Sequence, residues 1–308
     1  MKWFRNLICQ LKPVVWKVVN LSPYQMLGQL RFIAQNGLDW LRRVDRGPLV
    51  SIVVPLYNTE HYVAETLQSV RKQSYTNWEC IVVDDASPDR GVDVVQRFIG
   101  RDSRFRLVHH ESNRGLAASR NTGLRESQGE LITFLDSDDT LLRHSLLHRV
   151  RVIQERKAPD LAGAFCGVIN TPDAGHRFLE ALAMILCAPK QDVDFLVSEG
   201  KCPFASHSPL LRADLLRKLH GFDETLRTAE DFEMWQRIMR CGYYFAGSGR
   251  FGVTYRQRPG SMIHDEPMRH LRIAISLIAR ANQPVQNEGD DEDWPFFFSE
   301  PLGTYENQ

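Results

Sequence analysis

The sequence lacks several features that would assign it to a common class. None of its apolar runs reaches the roughly 18–20 residues that a transmembrane helix needs. Its six cysteines form no CxxC pair and no zinc spacing with histidine, and they are too sparse for a disulfide framework in 308 residues. The net charge is zero, so no overall field draws the chain toward nucleic acid. We therefore expect a cytoplasmic protein with reduced thiols and no nucleic-acid partner.

Charge is unevenly distributed between the two ends of the chain. Residues 1–47 contain eight Lys or Arg against two Asp, interspersed with Trp, Phe and aliphatic residues at spacings of three and four. This pattern predicts a basic amphipathic helix, which either contacts the inner face of the membrane peripherally or packs on the main domain. Residues 282–308 contain seven Asp or Glu and no Lys or Arg, which predicts a disordered acidic tail. The main domain is then expected at residues 48–281.

Short apolar runs alternate with helical segments in this domain. Runs rich in β-branched residues predict buried strands at residues 49–54, 80–83, 105–108 and 130–135. Apolar spacings of three and four predict helices at residues 59–73, 114–127, 209–219 and 228–240, with Thr59 and Thr228 as N-caps. Residues 243–255 have the composition of strands. The alternation predicts an α/β fold in which helices cover both faces of a mostly parallel sheet.

Carboxylates are concentrated where two of these strands end. Asp84 and Asp85 follow the second strand, and Asp136, Asp138 and Asp139 follow the fourth. Ligands of open parallel sheets bind at the carboxyl ends of the strands, where so many carboxylates need a positive partner. Oxygen-rich sites suit Mg²⁺ or Mn²⁺, and these ions also bind phosphate oxygens. The alternative is that the Asp residues cap turns, but Asp-x-Asp-Asp directly after an apolar strand favours a metal site that holds a diphosphate.

The other polar motifs leave two interpretations open. Asp84 and Asp85 suit either an Asx-type turn or a hydrogen bond to a nucleobase imide. Glu230 and Asp231 begin a predicted helix, so Thr228 and Asp231 suit a capping box, while either carboxylate could instead serve as a general base for an acceptor hydroxyl. Spacing alone favours the capping box. Arginines near the acidic segments suit either a diphosphate or solvent, namely Arg114, Arg120, Arg256 and Arg258.

Taken in order and spacing, these segments resemble the large inverting glycosyltransferase family called family 2, which has the GT-A (Rossmann-like) fold. The resemblance extends from about Val50 to about Met262. The first part of the matching text is Val53-Val54-Pro55-Leu56-Tyr57-Asn58, Val82-Val83-Asp84-Asp85-Ala86-Ser87, Asn113-Arg114-Gly115 and Ala118-Ser119-Arg120-Asn121-Thr122-Gly123. It continues with Phe134-Leu135-Asp136-Ser137-Asp138-Asp139, Gly221-Phe222-Asp223-Glu224, Ala229-Glu230-Asp231 and Tyr255-Arg256-Gln257-Arg258-Pro259-Gly260-Ser261.

The resemblance implies roles for individual residues. The implied catalytic residues are Asp231, as the base, and Glu230 beside it. Asp85 would bind a uracil-type base. The implied metal ligands for Mn²⁺ or Mg²⁺ are Asp136, Asp138 and Asp139. The implied nucleotide-sugar-binding residues are Pro55, Tyr57, Asn58, Asp84, Asp85, Arg120, Asp136, Arg256 and Arg258.

The resemblance also implies an activity. The expected reaction is metal-dependent, inverting transfer of a sugar from a nucleotide-sugar, with UDP as the default nucleotide and dTDP or GDP as alternatives. The expected acceptor is a hydroxyl of a glycan or a lipid-linked molecule in bacterial-type cell-surface polysaccharide synthesis. The processive members' Gln-x-x-Arg-Trp motif is replaced here by Gln257-Arg258-Pro259-Gly260, which predicts a non-processive enzyme. Ala86 stands where the family often has Gly.

Other classes of protein account for less of the sequence. A GT-A domain without activity would bind partners only, but it would not need the complete set of acidic residues. A phosphoacceptor receiver domain also clusters Asp at strand ends, but it needs only about half this length and leaves Glu230 and Asp231 without a purpose. A dehydrogenase is disfavoured because no GxGxxG follows the first strand.

Overall fold

The computed structural model describes residues 47–100, 102–172 and 205–257 of the chain. The predictions for the basic N-terminal segment, for Arg258 and for the acidic tail therefore lie outside the described residues. The described strands are β1 (Val50–Leu56), β2 (Trp78–Asp84), β3 (Phe105–His109), β4 (Leu131–Phe134), β5 (Thr140–Leu141), β6 (Leu161–Pro172), β7 (Pro209–Arg212) and β8 (Tyr244–Gln257). The described helices are α1 (Val63–Arg71), α2 (Gly91–Ile99), α3 (Leu116–Glu126), α4 (Ser145–Arg156), α5 (Ala213–Lys218) and α6 (Glu230–Arg240). Within these ranges, no helix combines the length and the apolar character that crossing a membrane requires.

The strands form one sheet in the order β3-β2-β1-β4-β7-β6-β8-β5. The first four strands of this order pair in parallel, with β1 between β2 and β4. Beyond β4 the sheet becomes mixed, because β7 runs antiparallel to both β4 and β6, while β6 and β8 are parallel. The predicted α/β class and its parallel core are confirmed.

The core lies on both faces of this sheet. Val50, Ile52 and Val54 of β1 pack into a cluster with buried residues of α1, α2 and α4. Val53 faces the other way and packs into a second cluster, with residues of α3, α5 and α6. A strand buried on both faces needs apolar residues at successive positions, which explains why β1 is an unbroken apolar run. The prediction of helices on both faces is confirmed.

The second half of the chain departs from the sequence-based prediction at one segment. Residues 209–219 were expected to be helical, but Pro209–Arg212 is strand β7 and the helix α5 begins only at Ala213. Leu211 pairs with Ile132 of β4 on one side and with Gly163 of β6 on the other. Sheet pairing on both sides thus overrides the local helical pattern.

Two predicted N-caps are wrong. The N-cap of α1 is Tyr62, and the hydroxyl of Thr59 instead contacts the Ser137 hydroxyl at 2.8 Å. The N-cap of α6 is Ala229, which has a left-handed backbone (φ 62°) and makes no side-chain capping bond. Thr228 is therefore not the N-cap residue, although Glu230 and Asp231 do lie in the first turn of α6.

Candidate active site

The carboxyl ends of β1, β2 and β4 lie side by side and carry the predicted motifs. Leu56 at the end of β1 is in register with Asp84 at the end of β2. The N–H of Leu135, just after β4, donates to the carbonyl of Val53 in β1 at 2.9 Å. Parallel pairing therefore brings the segments that begin at Tyr57, Asp85 and Asp136 to one edge of the sheet.

The first acidic cluster consists of Asp84 and Asp85, and its carboxylates are occupied by donors of the protein. Asp85 is only 3% exposed. Its Oδ1 accepts the Arg114 N–H at 2.8 Å and lies 2.8 Å from Nδ1 of His110, and its Oδ2 accepts the Gly115 N–H at 2.8 Å. Gly115 is the N-cap of α3. Asp85 thus fixes the start of the helix that carries Arg120.

Asp84 connects the end of β2 to the segment after β1. Its Oδ1 accepts the N–H of Ser87 at 3.0 Å, and its Oδ2 lies 3.0 Å from Nδ1 of His109. The Ser87 hydroxyl accepts the N–H of Asn58 at 2.8 Å. Tyr57, the residue before Asn58, has 47% of its surface exposed. Asp84 therefore holds the segment after β1 through Ser87. The ring of Tyr57 in this segment is exposed and accessible to a ligand.

The second acidic cluster consists of Asp136, Asp139 and His207, whose ligand-type atoms all lie within 4.8 Å of one another. Nδ1 of His207 lies 3.1 Å from Oδ2 of Asp139 and 3.9 Å from Oδ2 of Asp136. The Asp139 oxygen and the His207 nitrogen are both buried, and neither has a hydrogen bond among the described residues, although the two face each other as an ion pair. Buried polar atoms normally have hydrogen-bond partners, so an oxygen and a nitrogen without one fit a bound cation. Two carboxylates and an imidazole are a donor set that divalent cations such as Mn²⁺ accept.

The ionisable groups of the second acidic cluster shift one another's pKa values. Burial raises the pKa of Asp139, and the nearby Asp136 and Asp138 carboxylates raise it further against the opposing effect of His207. Burial also disfavours the charge on Asp136, but the Arg120 guanidinium and His207 together outweigh burial and hold the pKa of Asp136 below its usual range. Burial likewise opposes the charge on His207, yet the carboxylates of Asp136 and Asp139 raise its pKa overall. A divalent cation would relieve this crowding of negative charge.

The structure places Asp138, the third predicted metal ligand, differently from Asp136 and Asp139. Asp138 is partly buried, and its backbone carbonyl accepts the Nε–H of Arg256 at 3.0 Å. The backbone N–H of Arg256 donates to Oδ1 of Asp139 at 2.7 Å, and its guanidinium donates to Glu65 at 2.6 Å. Arg256 therefore holds the loop of the second acidic cluster. The metal role of Asp138 and the diphosphate role of Arg256 stay predictions.

Arg120 joins the second acidic cluster to the start of α6. Its guanidinium is 1% exposed and donates to Asp136 at 3.0 Å and to Glu230 at 2.5 Å. A buried arginine that bridges two carboxylates is stabilised by both, and it fixes their separation. Arg120 thus brings the Asp-x-Asp-Asp motif and the Glu230-Asp231 pair into one site, although Asp139 and Glu230 are 91 positions apart in the sequence.

Asp231 follows Glu230 in the first turn of α6, where the helix dipole favours negative charge. Its Oδ1 accepts the N–H of Phe232 at 2.7 Å. Burial, with the Glu230 carboxylate adding to it, raises the pKa of Asp231 to about 6. A carboxylate of this pKa is ionised at neutral pH and more basic than an ordinary Asp, as a general base requires.

His207 was not among the residues that the sequence singled out. Its only signal is its position just before the apolar residues that form β7. The antiparallel return of β7 beside β4 brings His207 to the Asp136 loop. That return could not be expected from the sequence, because the apolar spacing of residues 209–219 predicts a helix.

Comparison with known proteins agrees with this geometry. The model of glycosyl transferase family 2 matches residues 51–206. The putative glycosyltransferase EpsE of Bacillus subtilis is 30% identical over 71% of this chain and 76% of its own length. Glycosyltransferase GlyG of Streptococcus pneumoniae is 37% identical over 71% of this chain and 74% of its own length. The chain belongs to glycosyl transferase family 2, and it is a glycosyltransferase.

Two solved structures share the fold. TarS of S. aureus in complex with UDP-GlcNAc superposes with a TM-score of 0.57 and 22% identity, over 75% of this chain and 66% of the TarS chain. The mannosyltransferase PcManGT from Pyrobaculum calidifontis, in complex with GDP-Man and Mn²⁺, gives a TM-score of 0.58 and 22% identity, over 86% of this chain and 75% of its own. Likeness at this identity establishes the GT-A fold.

Proposed function

We propose that the protein transfers a sugar from a nucleotide-sugar, with a UDP-sugar as the default donor, to an acceptor hydroxyl. The transfer depends on a divalent cation and inverts the anomeric configuration. The observation that carries the proposal is the ion-paired bridge Asp136–Arg120–Glu230. This bridge places two groups in one site. One is the second acidic cluster, which suits a cation, and the other is the Asp231 carboxylate, which suits a general base.

The second acidic cluster supports the requirement for a cation. Asp136, Asp139 and His207 would hold Mn²⁺ or Mg²⁺, because they offer oxygen and nitrogen atoms within 4.8 Å of one another. When bound there, the cation would supply positive charge to offset the charge that develops on the departing nucleoside diphosphate. PcManGT, whose structure contains Mn²⁺ with GDP-Man, has the same fold.

Asp231 is the proposed catalytic base. It would take the proton of the acceptor hydroxyl as that oxygen attacks the anomeric carbon and the bond to the nucleoside diphosphate breaks. One displacement of this kind inverts the configuration at the anomeric carbon. Glu230 does not compete for the role, since it is 4% exposed and paired with Arg120. Glu230 instead holds Arg120, and its charge helps to raise the pKa of Asp231.

The nucleotide is proposed to lie against the end of β1 and the first acidic cluster. Tyr57 offers an exposed ring for stacking on a base, and Asn58 beside it is exposed as well. Asp85 is occupied by three protein donors. Contact between Asp85 and a base therefore requires that it share these bonds or that the loop at Arg114 and Gly115 shift.

The acceptor is proposed to be a glycan or a lipid-linked molecule in bacterial cell-surface polysaccharide synthesis. WfgD of Escherichia coli is named as a UDP-Glc:α-D-GlcNAc-diphosphoundecaprenol β-1,3-glucosyltransferase, and it is 38% identical over 62% of this chain and 70% of its own length. A lipid-linked acceptor suits a catalytic domain at residues 48–281 whose basic segment 1–47 contacts the inner face of the cytoplasmic membrane, with 282–308 as an acidic tail. Transfer of single sugars, without processivity, completes the proposal.

Donor hydrolysis tests the proposal without a known acceptor, because water can take the place of the acceptor hydroxyl. UDP-glucose, UDP-GlcNAc and GDP-mannose are each incubated with the protein in Mn²⁺, in Mg²⁺ or in EDTA. We expect nucleotide release from one donor that requires the cation, and proton NMR of the first sugar formed should show the inverted anomer. Release in EDTA, or retention of configuration, would contradict the proposal. Donor binding with no release from any donor would instead favour a domain that only binds partners.

A further inference from the structure

We propose that Arg149 is a positioning residue that fixes the backbone of His207 and thereby sets the affinity of the second acidic cluster for its cation. The inference rests on the proposed function, because it assumes that His207 is a cation ligand. Arg149 lies in α4, after the Asp-x-Asp-Asp motif, and belongs to none of the motifs that the sequence indicated.

The contacts of Arg149 converge on the segment that carries His207. Its Nη1 donates to the carbonyl of Ser208 at 2.9 Å and lies 3.5 Å from the carbonyl of His207. The same nitrogen donates to the hydroxyl of Thr133 in β4 at 3.1 Å. Its Nε and Nη2 donate to the carbonyl and the hydroxyl of Ser145, at 3.3 and 2.9 Å. Arg149 therefore ties His207 and Ser208 to the strand that leads into Asp136.

The burial of Arg149 requires an explanation. The side chain is 0% exposed, and its hydrogen-bond partners among the described residues are carbonyl and hydroxyl oxygens. Burial lowers the pKa of Arg149, which reflects the free energy needed to keep its charge away from water. An apolar residue of similar volume would avoid that penalty. Five N–H donors in a rigid plane, however, can hold several carbonyls at once, and no apolar side chain can do so.

The imidazole of His207 is where this backbone anchor matters. A metal-bound histidine usually donates its second ring N–H to a carboxylate or carbonyl, which fixes the ring. Nε2 of His207 is buried and has no hydrogen bond among the described residues, so none of them gives that support. The ring stacks on Tyr255, at 5.7 Å between centroids and 18° between planes. Apart from this contact and the ion pair of Nδ1 with Asp139 at 3.1 Å, the position of the ring depends on the backbone, and Arg149 holds that backbone.

The experiment compares Mn²⁺ affinity with thermal stability in matched variants. Arg149→Gln removes the guanidinium, and Arg149→Lys keeps the charge but loses the planar set of donors. Val150→Ala is the control, since it opens a cavity in the same helix at a residue that is 1% exposed and packs into the core. Free and bound Mn²⁺ are measured by electron paramagnetic resonance, at a temperature where all variants are folded.

We expect Arg149→Gln to weaken Mn²⁺ binding about 10- to 100-fold, as is typical for loss of a residue that supports a ligand. Arg149→Lys should fall between this variant and the wild type. Val150→Ala should lose thermal stability and retain its Mn²⁺ affinity. The inference is overturned if the Arg149 variants bind Mn²⁺ as tightly as Val150→Ala does. If Arg149→Gln does not fold, Arg149→Lys against Val150→Ala decides the question.

A fourth variant separates this inference from the proposed function. His207→Ala should abolish tight Mn²⁺ binding. If it does so while the Arg149 variants behave like the control, only the role of Arg149 is wrong. If His207→Ala binds Mn²⁺ as the wild type does, the proposed cation site is wrong, and the role of Arg149 fails with it.

Discussion

The two acidic clusters at the carboxyl edge of the sheet have similar residues and different partners. In the first, Asp85 accepts two backbone N–H groups and contacts His110, so the protein itself supplies the partners of this carboxylate. In the second, Oδ2 of Asp139 and Nδ1 of His207 form an ion pair at 3.1 Å, but both are buried without a hydrogen bond among the described residues. A carboxylate whose oxygens are all hydrogen-bonded by the protein contributes to the architecture, and one with an oxygen that lacks a hydrogen bond can accept a ligand.

This difference assigns separate tasks to the two clusters. The first acidic cluster fixes the start of α3, and α3 carries Arg120. Arg120 in turn joins the second acidic cluster to Glu230 and hence to Asp231. Substitutions in the first cluster should therefore act mainly on stability. Those in the second cluster, and at Asp231 beyond it, should act mainly on cation binding and turnover.

The largest effect is expected at Asp231, which is the proposed catalytic base. Asp231→Asn should lower the rate of donor turnover about 10²- to 10⁴-fold, because the amide cannot take the acceptor proton. Its Oδ1 can still accept the N–H of Phe232, so donor binding and folding should persist. Steady-state kinetics and nucleotide-sugar binding are measured side by side, with the exposed Asp93→Asn as control. Turnover in Asp231→Asn equal to that of the control would refute the assignment.

Cation binding should distinguish the two clusters directly. Replacing a ligand should weaken binding by more than the roughly 10- to 100-fold that loss of an outer-shell partner typically gives. In Mn²⁺ titrations, we therefore expect the affinity of Asp139→Asn to fall by more than this factor. Asp85→Asn should retain the affinity of the wild type. Equal losses in both variants would remove the distinction between the clusters.

The free energy of unfolding should give the opposite order, with a larger loss in Asp85→Asn than in Asp139→Asn. In Asp85→Asn the amide NH₂ group faces donors that the carboxylate formerly satisfied, so the variant should lose about 1–3 kcal/mol of unfolding free energy. Denaturant titration measures this loss, with Asp93→Asn again as the control. A variant at Asp85 as stable as the wild type would show that these buried bonds contribute little.

A smaller effect is expected on the pH dependence of kcat/KM. Asp231 must be ionised to act as a base, and its pKa is raised to about 6 by burial. The value of kcat/KM should therefore be constant above pH 7 and fall about tenfold per pH unit below 6. Saturating Mn²⁺ at each pH separates this effect from protonation of the cation ligands. A profile that stays flat down to pH 4.5 would exclude Asp231 as the titrating base.

The same pKa has a consequence for stability, with the opposite sign from that of an ordinary ion-paired Asp. Because the folded pKa lies above the unfolded value, this carboxyl favours the folded state most below pH 4 and loses that contribution as the pH rises through 6. Asp231→Asn should thus unfold at a slightly higher temperature than the wild type at pH 8. Asp231→Asn would then be less active and more stable than the wild type, which is a common result when a catalytic residue is replaced.

The sequence predicted the parallel half of the sheet because each element there carries its own signal. Tyr57 and Asp85 directly follow β1 and β2, and Asp136 stands two positions after the end of β4. Strand ends in a parallel sheet lie together. No such local signal existed for β7. Its pairing with both β4 and β6 depends on strands far away in the sequence.

The same limit applies to the site. Asp136, Asp139 and Asp231 stand in recognisable motifs, so the sequence identified them. His207 and Arg149 reach the site through the return of β7 and the packing of α4, and neither stands in a motif. The role of Arg120 was predicted as contact with a diphosphate, whereas the structure shows its guanidinium between two carboxylates. Residues that complete a site from distant segments become visible only when the fold is known.

The most direct test is a crystal structure of the protein with Mn²⁺ and UDP, with anomalous data collected at the manganese edge. The account predicts one strong anomalous peak within bonding distance of Asp136, Asp139 and His207, in the same cleft as Asp231. A peak bound at Asp84 and Asp85, or one away from His207, would contradict it.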